Sequence, residues 1–153
     1  LERQILSATD IQAARQDFQG AKLVLFLGTR IVVIRRDDIP GLPFPGCLDL
    51  PGGMREPGET PEETVLRETR EELGLSLAPD DLVAPVFYAE PKRAWFFEAH
   101  LPAMLEREIV FGNEGQGWWM MDPHDFAVAQ DAVPHFRDRV RACHGPAPGG
   151  ASG

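Results

Sequence analysis

An α/β fold, built on a mixed β-sheet with helices on both faces, is what this sequence predicts, and three observations predict it. Residues 22–27 and 30–35 are two β-rich runs separated by Gly28 and Thr29, a spacing that suits a two-residue hairpin. Residues 60–73 carry a helical pattern with start and stop signals at its ends. Two further apolar, aromatic-rich runs and two helix openings follow, so strands and helices are interleaved along the chain.

Taken in order, residues 9–19 read as a short helix capped by Thr9. The hairpin of residues 22–35 is expected in the central sheet. Pro40, Gly41, Pro43, Pro45 and Gly46 punctuate residues 37–49, which therefore read as a loop and as a rim of the substrate pocket. After the turn Leu50, Pro51, Gly52, Gly53 comes the best-specified element. Thr60 suits the N-cap, Pro61 the first helical position, and Thr60 with Glu63 makes a capping box. Val65, Leu66, Thr69 and Leu73 form one mostly apolar stripe, and Gly74 supplies the stop. Residues 82–89 and 94–101 read as strands joined through Glu90, Pro91, Lys92 and Arg93, and residues 117–121 as one more. Asp122 and Pro123 open a short helix, and Pro134 opens a last one through about Cys143. The expected organisation is one domain over residues 1–144, followed by a flexible tail at 145–153 with no apolar content to bury.

Composition narrows the function classes. A chain of 153 residues, 43% hydrophobic and 25% charged, is that of one ordinary globular domain. No apolar run approaches the ~18 residues of a membrane span, and no signal-peptide pattern is present, so a cytoplasmic location is expected. The sequence begins at Leu1 rather than Met, which leaves an upstream segment open. Cys47 and Cys143 stand far from each other and outside any metal or redox spacing, and both read as free thiols. None of the histidines His100, His124, His135 and His144 has a metal-like spacing to another. A net charge of −9 argues against a nucleic-acid polymer as partner. A small phosphorylated ligand is compatible with it, because a bound cation inverts the local field.

Glu68, Glu71 and Glu72 carry the chemistry. On a helix Glu71 lies about 60° behind Glu68 and Glu72 about 40° ahead of it, so the three carboxylates share one narrow face. Like charges so spaced repel by about 0.2–0.5 kcal/mol per pair, and a hard cation with oxygen ligands is the compensation that pattern calls for. Carboxylates without nearby nitrogen or sulfur ligands suit magnesium, or manganese, better than zinc. Hydrolysis of a phosphoanhydride needs a nucleophilic water, neutralised phosphoryl oxygens and a base, and such a cluster serves these needs.

Residues 53–75, GMREPGETPEETVLRETREELGL, resemble the Nudix hydrolases, whose pattern is G-x5-E-x7-R-E-U-x-E-E-x-G-U with U a bulky apolar residue. Gly53, Glu59, Arg67, Glu68, Glu71, Glu72, Gly74 and Leu75 fit; Thr69 stands where the pattern has an apolar side chain. The resemblance implies an α/β/α sandwich with a mixed sheet and a pyrophosphohydrolase that uses magnesium, with manganese as a substitute. It implies that the Gly52 carbonyl joins the three glutamates as a metal ligand, that Arg67 orients one of them through an ion pair, and that Glu59 is structural. The segment Gly112, Asn113, Glu114, Gly115, Gln116 resembles the GxEGQ loop of the MutT branch, which makes Glu114 a further metal contact or base beside Glu68.

The substrate implied is a nucleoside diphosphate linked to another moiety, first a nucleoside triphosphate yielding a monophosphate and pyrophosphate. Arg35 and Arg36 are the substrate-binding candidates. Ala132 occupies the place, two residues before Pro134, where MutT proteins acting on oxidised guanine nucleotides have an asparagine, and alanine lacks the amide's paired donor and acceptor. Pro91 resembles a proline of ADP-ribose hydrolases, but the chain holds 14 prolines and coincidence explains it better. Trp95, Phe96, Trp118 and Trp119 read as core before they read as base-stacking residues. Other readings are an ADP-ribose or nucleotide-sugar pyrophosphatase, a non-catalytic nucleotide-binding module that retains the box, and a calcium-binding structural helix, which lacks the usual oxygen-rich loop.

Overall fold

The computed structural model describes residues 6–143; the expected tail at 145–153 lies outside them. The elements run α1 (Ala8–Gln16), β1 (Gly20–Leu27), β2 (Arg30–Arg35), β3 (Leu48–Asp49), β4 (Gly52–Met54), α2 (Pro61–Leu73), β5 (Val83–Tyr88), β6 (Ala94–Leu101), β7 (Gly117–Met121), α3 (Pro123–Ala127) and α4 (Pro134–Arg141). Short 3-10 turns at Pro79–Asp81 and Ala103–Glu108 flank the β5–β6 pair.

A seven-stranded sheet follows the path β3-β2-β1-β6-β5, with β4 beside β1 and β7 beside β2. The two-residue loop is borne out, with Leu27 opposite Arg30 and Gly28 at φ 69°, a left-handed conformation that glycine adopts without Cβ strain. The β1–β6 pair is parallel from Gly20 against Ala94 to Leu27 against Leu101, and the other pairs are antiparallel, so the sheet is mixed.

Burial on both faces follows from the alternation of side chains along β1. Ala21, Leu23, Leu25 and Leu27 pack with Ala14 of α1, with Phe18 just after it, and with Val65 and Leu73 of α2. Val24 and Phe26 point the other way, onto Phe126 of α3 and Phe136 and Val140 of α4. The result is a three-layer α/β/α arrangement.

Two expectations need correction. The first helix starts at Ala8, because Ser7 rather than Thr9 is its cap: Ser7 is extended, its hydroxyl accepts from the Asp10 N–H, and Asp10 returns the bond to the Ser7 N–H. It also ends at Gln16, before residue 19. The 37–49 stretch is not loop throughout, since Leu48 and Asp49 pair with β2, and the glycine turn itself pairs with β1 as β4. Two- and three-residue strands leave no alternation to read.

Candidate active site

Helix α2 carries the glutamates. Its start is closed by reciprocal bonds between Thr60 and Glu63, and its end by Gly74 at φ 69°. Val65, Thr69 and Leu73 are buried on the sheet side, which leaves the opposite side for charge.

Arg67 is the hub of that side. Its Nε donates to Glu59 Oε2 at 2.6 Å and its Nη2 to Glu59 Oε1 at 3.1 Å, a two-pronged grip. Nη1 donates to Glu68 at 3.1 Å and to Glu71 at 3.2 Å, while Nη2 also reaches the Met54 carbonyl at 2.9 Å. One guanidinium thus ties the helix to β4 and sets two of its carboxylates. Its hydrogen bonds hold the Glu59 carboxyl down at about 2, and the same contacts raise the proton affinity of Arg67.

Burial acts the other way on the remaining carboxylates. It pushes Glu68 up against the opposing pull of Arg67. It pushes Glu72 up to about 8, against the attraction of Lys22 and the bond that Glu72 Oε1 accepts from the Gly52 N–H at 2.8 Å. Glu71 is exposed.

The glycine turn is close-packed where these side chains meet it. A Cβ on Gly52 would lie 2.2 Å from the Ala21 carbonyl oxygen, and its φ of 125° excludes other residues besides. A Cβ on Gly53 would lie 2.6 Å from Glu68 Cδ. The Gly52 carbonyl accepts from Lys22 Nζ at 3.1 Å, and that ammonium is shared with the Leu50 carbonyl at 3.1 Å and Asp49 Oδ1 at 3.0 Å.

Glu114 is exposed on a loop tied to both sides of the site. Gly112 N–H bonds the Glu72 carbonyl at 2.9 Å, Gln116 N–H the Arg35 carbonyl at 2.8 Å, and Gly115 N–H donates to Asp37 at 3.0 Å. Arg35 and Arg36 are engaged inside the chain. Arg35 bonds the Gly46 carbonyl and Asp131 and lies over the Trp119 ring, whereas Arg36 bonds the Pro43 carbonyl and Asp49. They pin the 37–47 loop. Of the four aromatic candidates, Trp95 and Phe96 are buried, Trp118 packs on the core in part, and Trp119 is exposed.

Sequence reasoning missed Lys22 and Asp49. Asp49 is 6% exposed and held between Lys22 and Arg36. The available signal was Lys22 itself, a charge on the inward-facing side of an otherwise apolar strand. Behind Gly53 opens a narrow cleft lined by Lys22, Lys92, Phe96, His135, Phe136 and Arg139 among others. Burial, reinforced by neighbouring cations, brings His135 down to about 4, so its imidazole is neutral at pH 7.

A NUDIX domain profile matches residues 18–142. The chain belongs to the Nudix family. Among curated Nudix relatives, the 8-oxo-dGTP diphosphatase of Escherichia coli is 38% identical over 94 residues, covering 56% of this chain and 70% of that protein. The ADP-ribose pyrophosphatase of Methanocaldococcus jannaschii is 44% identical over 64 residues, 42% of this chain and 35% of the relative. The nucleoside triphosphatase NudI of Salmonella arizonae is 33% identical over 96 residues, 56% of this chain and 68% of the relative. In fold the chain is similar to a MutT protein from Methanosarcina mazei, with TM-score 0.66 and 21% identity over 81% of this chain and 90% of that one. A C. elegans Ap4A hydrolase has TM-score 0.61 and 21% identity over 80% of this chain and 93% of its own. The chain is therefore a Nudix hydrolase with the Nudix α/β fold.

Nudix hydrolases generally use divalent metals, and the donor set here fits a hard one. The α2 face offers carboxylate oxygens, and Gly52 at the start of β4 offers a backbone carbonyl. Glu72 is a partly buried carboxyl that desolvation pushes up to about 8, and a bound cation would oppose that shift. As they stand, the carboxylates are engaged by Arg67 and by the Gly52 N–H, and among the described residues no three acidic, His or Cys groups form a ready-made metal cluster. Also among them, no helix is long and apolar enough to cross a membrane.

Proposed function

We propose that this chain is a magnesium-dependent pyrophosphohydrolase, with manganese as substitute, acting on a nucleoside diphosphate linked to another moiety. The first substrate is a (deoxy)nucleoside triphosphate. Water breaks the bond between the α- and β-phosphoryl groups, yielding the monophosphate and pyrophosphate. The observation that carries this reading is the Arg67 hub, which fastens Glu59 and aligns Glu68 and Glu71 beside Glu72 and the glycine turn. Three of the curated relatives are named for nucleotide cleavage, two for nucleoside triphosphates and one for ADP-ribose.

Glu68, Glu71, Glu72 and the Gly52 carbonyl would hold the cation, with Glu114 as a further contact. When bound, it supplies charge neutralisation on the phosphoryl oxygens and acidifies a water. The chain's own part is orientation and proton transfer. Arg67 fixes the carboxylates on which the reaction depends, and Glu68 or Glu114 takes the proton of the attacking water. Glu68 is favoured by its burial against Gly53, Glu114 by a loop bonded to the end of α2. Arg35 and Arg36 serve the substrate by shaping the 37–47 rim, and residues 1–144 form the single hydrolase domain.

Incubating the chain with nucleoside triphosphates, ADP-ribose and nucleotide sugars, with and without magnesium, tests this reading. Release of a monophosphate only with metal supports it. Ligand-induced stabilisation without turnover would instead establish a binding module.

A further inference from the structure

Arg139 is a buried cation that makes no direct ion pair among the described residues, although Asp138 attracts it at longer range. It is 7% exposed, and among the described residues its Nε has no hydrogen-bond partner, while Nη2 donates to the Glu90 carbonyl at 2.9 Å. Its guanidinium lies 3.6 Å from the Tyr88 ring centroid and 5.4 Å from that of Phe96, contacts that soften but do not neutralise the charge. A buried guanidinium left so is costly unless an anion joins it.

The wall around it has the same character. Arg139 lines the cleft behind Gly53 together with Lys22 and Lys92, and no Asp or Glu lines it, in a chain of net charge −9. Lys92 stands exposed on the rim, and among the described residues its one directed contact is Met54 Sδ at 3.4 Å. Lys22 faces Asp49 and the Phe136 ring. Gly53 both lines the cleft and abuts Glu68, so the basic pocket begins beside the α2 carboxylates.

We infer that the cleft lined by Arg139 and Lys92 is an anion site for a further phosphate group borne by the substrate, beyond the phosphoanhydride. Its orientation rests on the hydrolase reading above; its existence does not. The ligand class is then a nucleoside diphosphate derivative ending in a phosphomonoester.

The test is calorimetric binding of matched ligands that differ by one phosphate, NADPH against NADH, to the full chain without metal. The wild type is expected to favour the phosphorylated member by about tenfold. The ratio is expected to fall towards one in Lys92→Glu, an exposed position that leaves folding untouched, and in Arg139→Met. A ratio near one in the wild type, or one that Lys92→Glu leaves unchanged, overturns the inference. Inorganic phosphate as competitor separates the sources: phosphate that binds the cleft while the pair shows no preference marks free phosphate as the ligand, and also overturns it. If magnesium gives no turnover of any nucleotide while the binding preference holds, the hydrolase reading fails and the anion site stands.

Discussion

The glutamate ridge of α2 and the cleft behind Gly53 share one residue as a wall and carry opposite charge. The ridge is negative, and its charges are organised by one arginine from its own helix. The cleft is positive, and its cations come from β1, the β5–β6 connection and α4. Acid on one side and base on the other suit a ligand whose middle needs a cation and whose end is an anion. The difference also separates what can be read in sequence from what cannot.

Breaking the ridge should have the largest effect. Glu71→Gln or Glu72→Gln is expected to lower metal-dependent turnover by at least about a hundredfold, near 2.7 kcal/mol of barrier, measured by product release at saturating magnesium. Normal rates in both variants would remove these residues from the proposed ligand set.

The shared wall comes next. Gly53→Ala puts a methyl group 2.6 Å from Glu68 Cδ, the movable end of a side chain, so it should displace the carboxylate while sparing the fold. Turnover is expected to drop by roughly tenfold to a hundredfold with little change in melting temperature. Gly52→Ala should instead unsettle the β1–β4 pairing, since its methyl meets backbone at 2.2 Å. The two variants together tell displacement from unfolding.

The ridge was legible because its information is local. Spacing within one helix set the face, and Thr60, Pro61 and Gly74 set the ends, all of which the structure keeps. The hairpin at Gly28 and the strand at 117–121 were legible for the same reason. Long-range pairing was not. Nothing in the β1 or β6 sequences states that they run parallel, and only that pairing brings Lys22 near residues 92–96. Arg139 drew no notice in the last helix, because only the packing of α4 against Tyr88 and Phe96 buries its charge. Arg35 and Arg36 read as open to substrate because the partners that bind them, Asp131 and Asp49, lie on other segments.

A smaller effect concerns the support beneath the ridge. The Glu59 carboxyl is lowered to about 2 on folding, so its contribution is present above about pH 4.5 and is lost as pH falls from there towards 2. Glu59→Gln should lower stability at pH 7 by about 1–3 kcal/mol and flatten the acid limb of the stability profile in that window, followed by chemical unfolding. An unchanged acid limb would show that the Arg67 grip contributes little to folding.

The smallest effect lies at the family pattern's one departure. Thr69 is fully buried, and among the described residues its hydroxyl has no hydrogen-bond partner. Thr69→Val keeps the shape and removes the unpaired group, which should raise stability by about 1 kcal/mol and leave turnover unchanged. A loss of stability would mean that the hydroxyl is satisfied in solution.

The claim on which the rest depends is that the α2 carboxylates exist to hold a hard cation against a phosphoanhydride. Titrating magnesium calorimetrically into the full chain, with nucleotide present, tests it most directly. Saturable binding in the wild type and its loss in Glu72→Gln is the expected result. A wild-type chain that takes up no magnesium, or a Glu72→Gln variant that binds it as well, would contradict the account.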